Sequence, residues 1–280
     1  MRVAVVSNRN LPGYPEKNVV DHLAWIKKAA GAGAHLVLFP ELSLSGYSTE
    51  AFMAEIGMTM KGDGYQQLVQ AARDHGLYVA FGLPFKYRNR LYISHALVGP
   101  RGPVGHYEKV HLAGASRGEG RVFHPGSAFR VFDVAGVSVG INICYDGRHP
   151  GSSLAVAHLG AEIILHPHGN LVGGLGRDPL EWTDNKRAYL GPRAVDTCTY
   201  TLICNSVGNM RDRAGHLRKF SGGALILGPD GNFVGRSPSA DRRPHMVVAD
   251  LDIQGLRRMR ASSSFSQRRS DVYADALVRD

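Results

Sequence analysis

Val137-Ser-Val-Gly-Ile-Asn-Ile-Cys-Tyr-Asp146 is a short apolar run, rich in β-branched residues, that ends on a thiol and a carboxylate. Runs of this length, bounded by turn residues, read as strands buried on both faces. The same texture recurs at Val3 to Val6, Leu36 to Phe39, Leu77 to Leu83, Ala96 to Val98, Ile163 to Leu165, Thr201 to Cys204, Ala224 to Leu227 and Met246 to Ala249. Helical spacing fills several of the gaps. Val19, Leu23, Ile26 and Ala30 recur at intervals of four, three and four before Gly31 and Gly33, and Tyr65, Leu68, Val69 and Ala72 form one face that Gly76 ends. Ser152 reads as the cap of a helix through Leu159. Gly228-Pro-Asp-Gly231 reads as the turn of a hairpin spanning Gly223 to Val234. Strand, helix, strand with an added hairpin predicts an α/β fold with mixed sheets. No linker, fixed-period repeat or low-complexity tract divides the chain, so residues 1–280 read as a single domain.

Composition narrows the class. With 44% hydrophobic and 20% charged residues, the chain can fill a core and keep a wet surface, which argues against disorder. No apolar run reaches the roughly 18 residues that span a bilayer, and the start, Met1 to Asn8, reads as a first strand and not as a signal peptide. The three cysteines, Cys144, Cys198 and Cys204, are odd in number and unpaired in spacing, as expected of reduced thiols in a cytoplasm. The net charge of +9 raises the question of an acidic partner, with Arg257, Arg258, Arg260, Arg268 and Arg269 clustered near the C-terminus. No aromatic-interleaved basic motif accompanies them, so a solvated or subunit-contact surface is expected and nucleic acid is not.

The chemistry centres on Cys144. A thiol is mostly protonated at neutral pH, so a nucleophilic cysteine needs a base or a positive charge beside it. Glu41, in Leu38-Phe-Pro-Glu-Leu42, and Lys109, in Tyr107-Glu-Lys-Val-His-Leu112, each follow an extended segment, where strand ends from distant parts of an α/β fold converge. A carboxylate, an ammonium and a thiol in that arrangement suggest a thiol hydrolase. His166 and His168, two apart on an extended segment, point the same way, but no third metal ligand stands at a recognisable spacing, so they read as a polar pocket wall with no metal.

Phe39-Pro-Glu-Leu-Ser-Leu-Ser-Gly-Tyr47, Tyr107 to Leu112 and Asn142-Ile-Cys-Tyr-Asp146 resemble, in that order, the glutamate, lysine and cysteine segments of the nitrilase, or carbon-nitrogen hydrolase, superfamily. Phe123-His-Pro-Gly126, Arg193 through Asn205, Gly228 to Gly231 and Arg268 to Tyr273 extend the likeness over nearly the whole chain. The resemblance implies a four-layer α-β-β-α sandwich that packs as a homodimer or larger homo-oligomer, and no cofactor. It implies that Cys144 attacks a small linear amide or N-carbamoyl compound to give a thioester, that Glu41 carries the proton, and that Lys109 faces the developing oxyanion with the backbone N–H of Tyr145. Glu119 falls where related enzymes carry a second glutamate that buttresses the lysine and helps orient substrate or water; the other reading of Gly118-Glu-Gly120 is an exposed loop with its acid in water. A nitrile substrate, through a thioimidate on the same thiol, is the alternative within this chemistry; a non-catalytic binding or scaffold protein of the same fold is the alternative outside it.

Some positions depart from the family pattern. Asp146-Gly-Arg-His-Pro150 carries a glycine where a bulkier residue is usual, so Gly147 is expected to open space beside the nucleophile. Arg148 and His149 are candidates to meet a substrate carboxylate, as arginines near this position do in some carbamoyl amino acid hydrolases; the alternative is Arg148 paired with an internal acid. His168 is expected to line the pocket, and Gly169 to Trp182 reads as a loop over the site.

Overall fold

The structure is a computed structural model that describes residues 1–114, 117–173 and 176–277. It contains two six-stranded mixed sheets. The first is built from β1 (Arg2–Ser7), β2 (Leu36–Leu38), β3 (Tyr78–Tyr87), β4 (Arg90–Gly99), β5 (Gly102–Glu108) and β14 (His245–Asp250), in the order 14-1-2-3-4-5. The second uses β6 (Val131–Val134), β7 (Val137–Ile141), β8 (Ile163–His168), β9 (Tyr200–Asn205), β12 (Ala224–Leu227) and β13 (Phe233–Arg236), in the order 13-12-9-8-7-6. A separate ribbon pairs β10 (Val207–Arg211) with β11 (Leu217–Ser221).

Alternation within single strands explains the layering. Val3 and Val5 join Leu36, Leu38, Ile141, Leu165 and Leu202 in the core between the sheets, whereas their neighbours Ala4 and Val6 pack outward. There they meet Val19 and Ile26 of α1 (Pro15–Gly31) and Leu68 and Ala72 of α3 (Asp63–His75). On the far side, Ile164 packs on Val156 of α4 (Pro150–His158), and Ile203 and Leu225 pack on Leu190 and Ala194 of α5 (Pro179–Thr197). The result is a four-layer α-β-β-α sandwich. Burial on both faces is why the central strands read as unbroken apolar runs. Shorter helices complete the chain: α2 (Phe52–Glu55), α6 (Ile253–Ala261) and α7 (Ser270–Leu277). Among the described residues no helix is long and apolar enough to cross a membrane.

At the centre of each sheet the strands run parallel: β1, β2 and β3 in one, β7, β8 and β9 in the other. Their C-terminal ends are where an open α/β sheet presents its ligand crevice. The two sheets meet there directly, because the Glu41 N–H, just after β2, donates to the carbonyl of His168 at the end of β8 (3.3 Å).

The structure corrects several expectations. Helix α4 begins at Pro150 rather than after Ser152, whose buried hydroxyl instead lies 3.3 Å from His111 Nδ1. Gly169 to Trp182 is only in part a loop. Asp178 caps α5 by accepting from the N–H groups of Leu180 and Glu181, and Trp182 is fully buried in the first turn; Gly174 and Leu175 lie outside the described residues. Of the C-terminal arginines, Arg258 and Arg269 lie exposed, as expected of a solvated surface, but others are tied down. Arg257 grips Glu162 at 2.6 Å, Arg260 donates to the carbonyls of Ala161 and Ala157, and Arg268 donates to that of Asp196, which fastens the segment around α6 to the second half of the sandwich.

Candidate active site

Cys144 begins a tight 3-10 turn, Cys144–Arg148, directly beyond β7, and adopts a left-handed φ of 45°. A non-glycine residue holds that conformation only where its surroundings enforce it. Asp146 does so. One of its carboxylate oxygens accepts from the Ile143 N–H (2.9 Å) and the Tyr107 hydroxyl (2.8 Å), and the other accepts from the His111 N–H (2.9 Å). The strand therefore ends on a thiol whose direction is set by a buried acid two residues later.

Glu41 reaches the same place from the first sheet. Its turn packs so tightly on β3 that a Cβ at Gly82 would strike the backbone of Leu42. Behind it, the Ser43 hydroxyl accepts from the Gly82 N–H (3.1 Å) and meets Nε2 of the buried His22 (2.9 Å). Lys109, just past β5, is fully buried and donates to Glu41 Oε1 (2.7 Å) and Glu119 Oε1 (2.8 Å). Glu119 is buried, not exposed in a loop. It also accepts from the Tyr47 hydroxyl and the Ala113 N–H, each at 2.8 Å. The other Glu41 oxygen, Oε2, has no hydrogen-bond partner among the described residues, although the Cys144 thiol is close enough to favour the ionised carboxyl.

One ammonium between two carboxylates leaves a surplus of negative charge. Burial first, and then the Glu119 charge, push Glu41 up to about 7 against the pull of Lys109. Burial and the Glu41 charge push the Cys144 thiol up to about 12, opposed by Lys109 and Lys186. Burial disfavours the charged form of Lys109, but Glu41 and Glu119 outweigh it and raise its pKa. The resting state at neutral pH is a protonated thiol beside a carboxyl that titrates near neutrality.

The opposite wall runs through Asn170. Its Nδ2 approaches Cys144 Sγ at 3.5 Å and its Oδ1 accepts from Trp182 Nε1 at 3.2 Å. His166 and His168 stack at 4.7 Å, and His168 meets the edge of Trp182 at 5.4 Å. Gly147 opens no space for a substrate, because a side chain there would run into His166. Tyr145 is 39% exposed, and Arg148 lies exposed over the ring of Tyr189 at 4.7 Å, without an acid partner among the described residues. Tyr47, Asp146 and Asn170 belong to segments singled out in the sequence, but nothing there separates them from packing residues. Lys186 and Tyr189 leave no signal at all, since a helix lysine is ordinarily a surface residue. A cavity of about 710 Å³ between α1, α3 and the Ile56–Thr59 segment is lined by none of the converging groups.

A thiol, a carboxyl and an ammonium converging at the strand ends of an α-β-β-α sandwich define a cysteine-centred hydrolase of C–N bonds. The profile of the carbon-nitrogen hydrolase family matches residues 2–261, and the chain belongs to that family. It is 34% identical to a nitrilase of Pyrococcus abyssi, covering 92% of this chain and 94% of that one, and 31% identical to an (R)-stereoselective amidase of Pseudomonas sp., covering 90% and 86%. Among solved structures, the amidase of Nesterenkonia sp. AN1 superposes with a TM-score of 0.81 at 25% identity, over 98% of this chain and 99% of that one. A mutant of that amidase carries the product of acrylamide addition at its active-site cysteine.

Proposed function

We propose that the chain hydrolyses a small linear amide or N-carbamoyl compound through a thioester on Cys144. The observation that carries this reading is the buried, unpartnered Oε2 of Glu41 beside the thiol, on a carboxyl anchored by Lys109. Because the thiol's pKa lies far above that of Glu41, no standing thiolate forms; the proton passes to Glu41 as sulfur attacks the substrate carbon. The new C–S bond leaves an oxyanion, which Lys109 Nζ and the backbone N–H of Tyr145 stabilise. Collapse breaks the C–N bond, and Glu41 returns the proton to the departing ammonia or amine. Water then attacks the thioester with Glu41 as base, releasing the acid and restoring the thiol; a carbamoyl substrate yields carbon dioxide. Glu119 holds Lys109 in place, and His168 and Arg148 border the substrate. The complex of a mutant of the Nesterenkonia amidase with butyramide supports a small linear amide.

The test is acid quenching during turnover of an amide panel, followed by mass spectrometry. An acyl adduct on the Cys144 peptide is expected, absent in Cys144→Ala; an adduct that persists in the variant overturns the assignment. The similarity to a protein named nitrilase supports a second reading, a nitrile substrate. Ammonia released from matched nitriles and amides, measured separately, decides between them.

A further inference from the structure

Glu41 and Cys144 share a backbone peculiarity. Cys144 itself has a left-handed φ of 45°, and Leu42, directly after Glu41 and fully buried, has one of 50°. A leucine holds that conformation only where its surroundings impose it, and such residues gather at functional sites. At the nucleophile the constraint is Asp146, two residues on. At Glu41 the residue two positions on is Ser43, whose hydroxyl accepts from the Gly82 N–H at 3.1 Å and lies 2.9 Å from Nε2 of His22. His22 belongs to α1, outside the first sheet, and has no part in the chemistry proposed above.

The protons of this chain of contacts follow from its acceptors. His22 Nδ1 lies 2.6 Å from the Asn18 carbonyl, which can only accept, so Nδ1 carries the hydrogen. The ring is fully buried and desolvation pushes its pKa down to about 4, so at neutral pH it is uncharged and Nε2 is a bare acceptor. The Ser43 hydroxyl therefore donates to Nε2 while its oxygen accepts from Gly82. The imidazole also rests on the ring of Phe39 at 4.3 Å, just before Pro40 and Glu41. One helical turn earlier, Asn18 secures the far end of the same segment. Its Nδ2 donates to the carbonyls of Leu44 (3.2 Å) and Leu11 (2.9 Å), and its Oδ1 accepts from the Leu11 N–H (2.7 Å).

We propose that His22 is a positioning residue for Glu41: through the Ser43 hydroxyl, its Nε2 holds Leu42 in the left-handed conformation and so keeps the Glu41 carboxyl aligned on the thiol. This rests on the thioester reading above and adds the device that presents its base. Alignment matters because proton transfer is limited by geometry first, and a displacement of about 1 Å can cost about 10²-fold in rate.

The test uses two replacements that each keep one half of the imidazole. In His22→Gln the side-chain amide reaches the place of Nε2 and accepts from Ser43; in His22→Asn it reaches only the Nδ1 side and leaves the hydroxyl without its acceptor. Ammonia release is measured with the fastest of acetamide, acrylamide and butyramide. His22→Asn and Ser43→Ala are expected to lose about 3- to 10-fold in kcat with little change in KM, the range of one net hydrogen bond. His22→Gln recovers most of that loss. Added to Glu41→Gln, His22→Asn lowers kcat no further, because its only route to the chemistry is that carboxyl, whereas a general loosening of the fold would multiply the two losses. Ser43→Ala leaves the buried ring in place and carries the test if the His22 variants do not fold. Full kcat in Ser43→Ala, equal kcat in the Gln and Asn variants, or multiplied losses in the double variant overturn the proposal while leaving Cys144 chemistry intact. If the wild type neither releases ammonia from any of the amides nor acylates Cys144, the underlying hydrolase reading fails instead.

Discussion

Lys109 and Lys186 are both almost fully buried, and the charges of both bear on the Cys144 thiol, yet they titrate in opposite directions. Around Lys109, two carboxylates outweigh desolvation and hold the ammonium charged. Around Lys186, burial acts with Arg148 nearby and outweighs the pull of Cys144 and Glu41, so its pKa falls to about 8. Depth is the same in both places, so the partners decide. Lys109 is paired twice over, whereas among the described residues Lys186 has no carboxylate partner and the ring nitrogens of His166 and His168 have no hydrogen-bond partner. A paired lysine and an unpaired one thus act on the same sulfur.

The largest test of this contrast removes the satisfied lysine. Lys109→Met leaves Glu41 and Glu119 facing each other with no cation between them and, in the proposed mechanism, deletes an oxyanion donor. Amide kcat is expected to fall by about 10³-fold, with a loss of about 3–5 kcal/mol in urea unfolding because buried charges lose their partner. Next is Glu41→Gln, expected to lower kcat/KM by about 10²-fold or more. In the wild type, kcat/KM for a neutral amide should rise as pH increases through about 7, where Glu41 loses its proton, and the variant should lose that rise. A pH profile that keeps the same inflection in the variant removes Glu41 as the base.

Substituting the unsatisfied lysine should act in the other direction on stability. Folded Lys186 titrates near 8 and unfolded lysine near 10.5, so between those values the unfolded chain binds more protons and stability rises with pH. Below about 8 the whole penalty is present, on the order of 3 kcal/mol. Lys186→Met is therefore expected to be more stable than wild type at pH 7, and the gap should close by about pH 10.5; a destabilised variant at pH 7 would contradict the comparison. The smallest effect is Ser43→Ala, which removes the hydroxyl between Gly82 and His22 behind the Glu41 turn. A loss of about 1 kcal/mol in unfolding is expected, with a drop in kcat and little change in KM.

How far the sequence was legible follows the same division. Strands buried on both faces announce themselves as apolar runs, so the nine runs read from sequence fall on β1, β2, β3, β4, β7, β8, β9, β12 and β14. Strands β5, β6, β10 and β11 are only partly buried and interleave polar residues or glycine with apolar ones, so they carry no such signal. Glu41, Lys109, Glu119 and Cys144 were named from motifs, and the structure brings all four together. Asp146 was visible in the same motif, but its task of bending the backbone at Cys144 depends on acceptor geometry that spacing does not encode. Lys186 was invisible for a different reason. Trp182 looked like the end of a loop, and without the helix that begins at Pro179 there is no face on which a lysine four residues later points inward. The space credited to Gly147 was filled by His166, a neighbour in the fold and not in the chain.

The hydrogen bond from the Glu41 N–H to the His168 carbonyl ties the first sheet, β1 to β5 with β14, to the second. Glu41 and Cys144 arrive from opposite sheets, so neither sheet alone assembles the centre. During refolding, catalytic competence should consequently lag behind the formation of secondary structure and appear only when the two leaves dock. A nascent chain with one leaf finished would then carry an inert sulfhydryl, harmless to the amides around it.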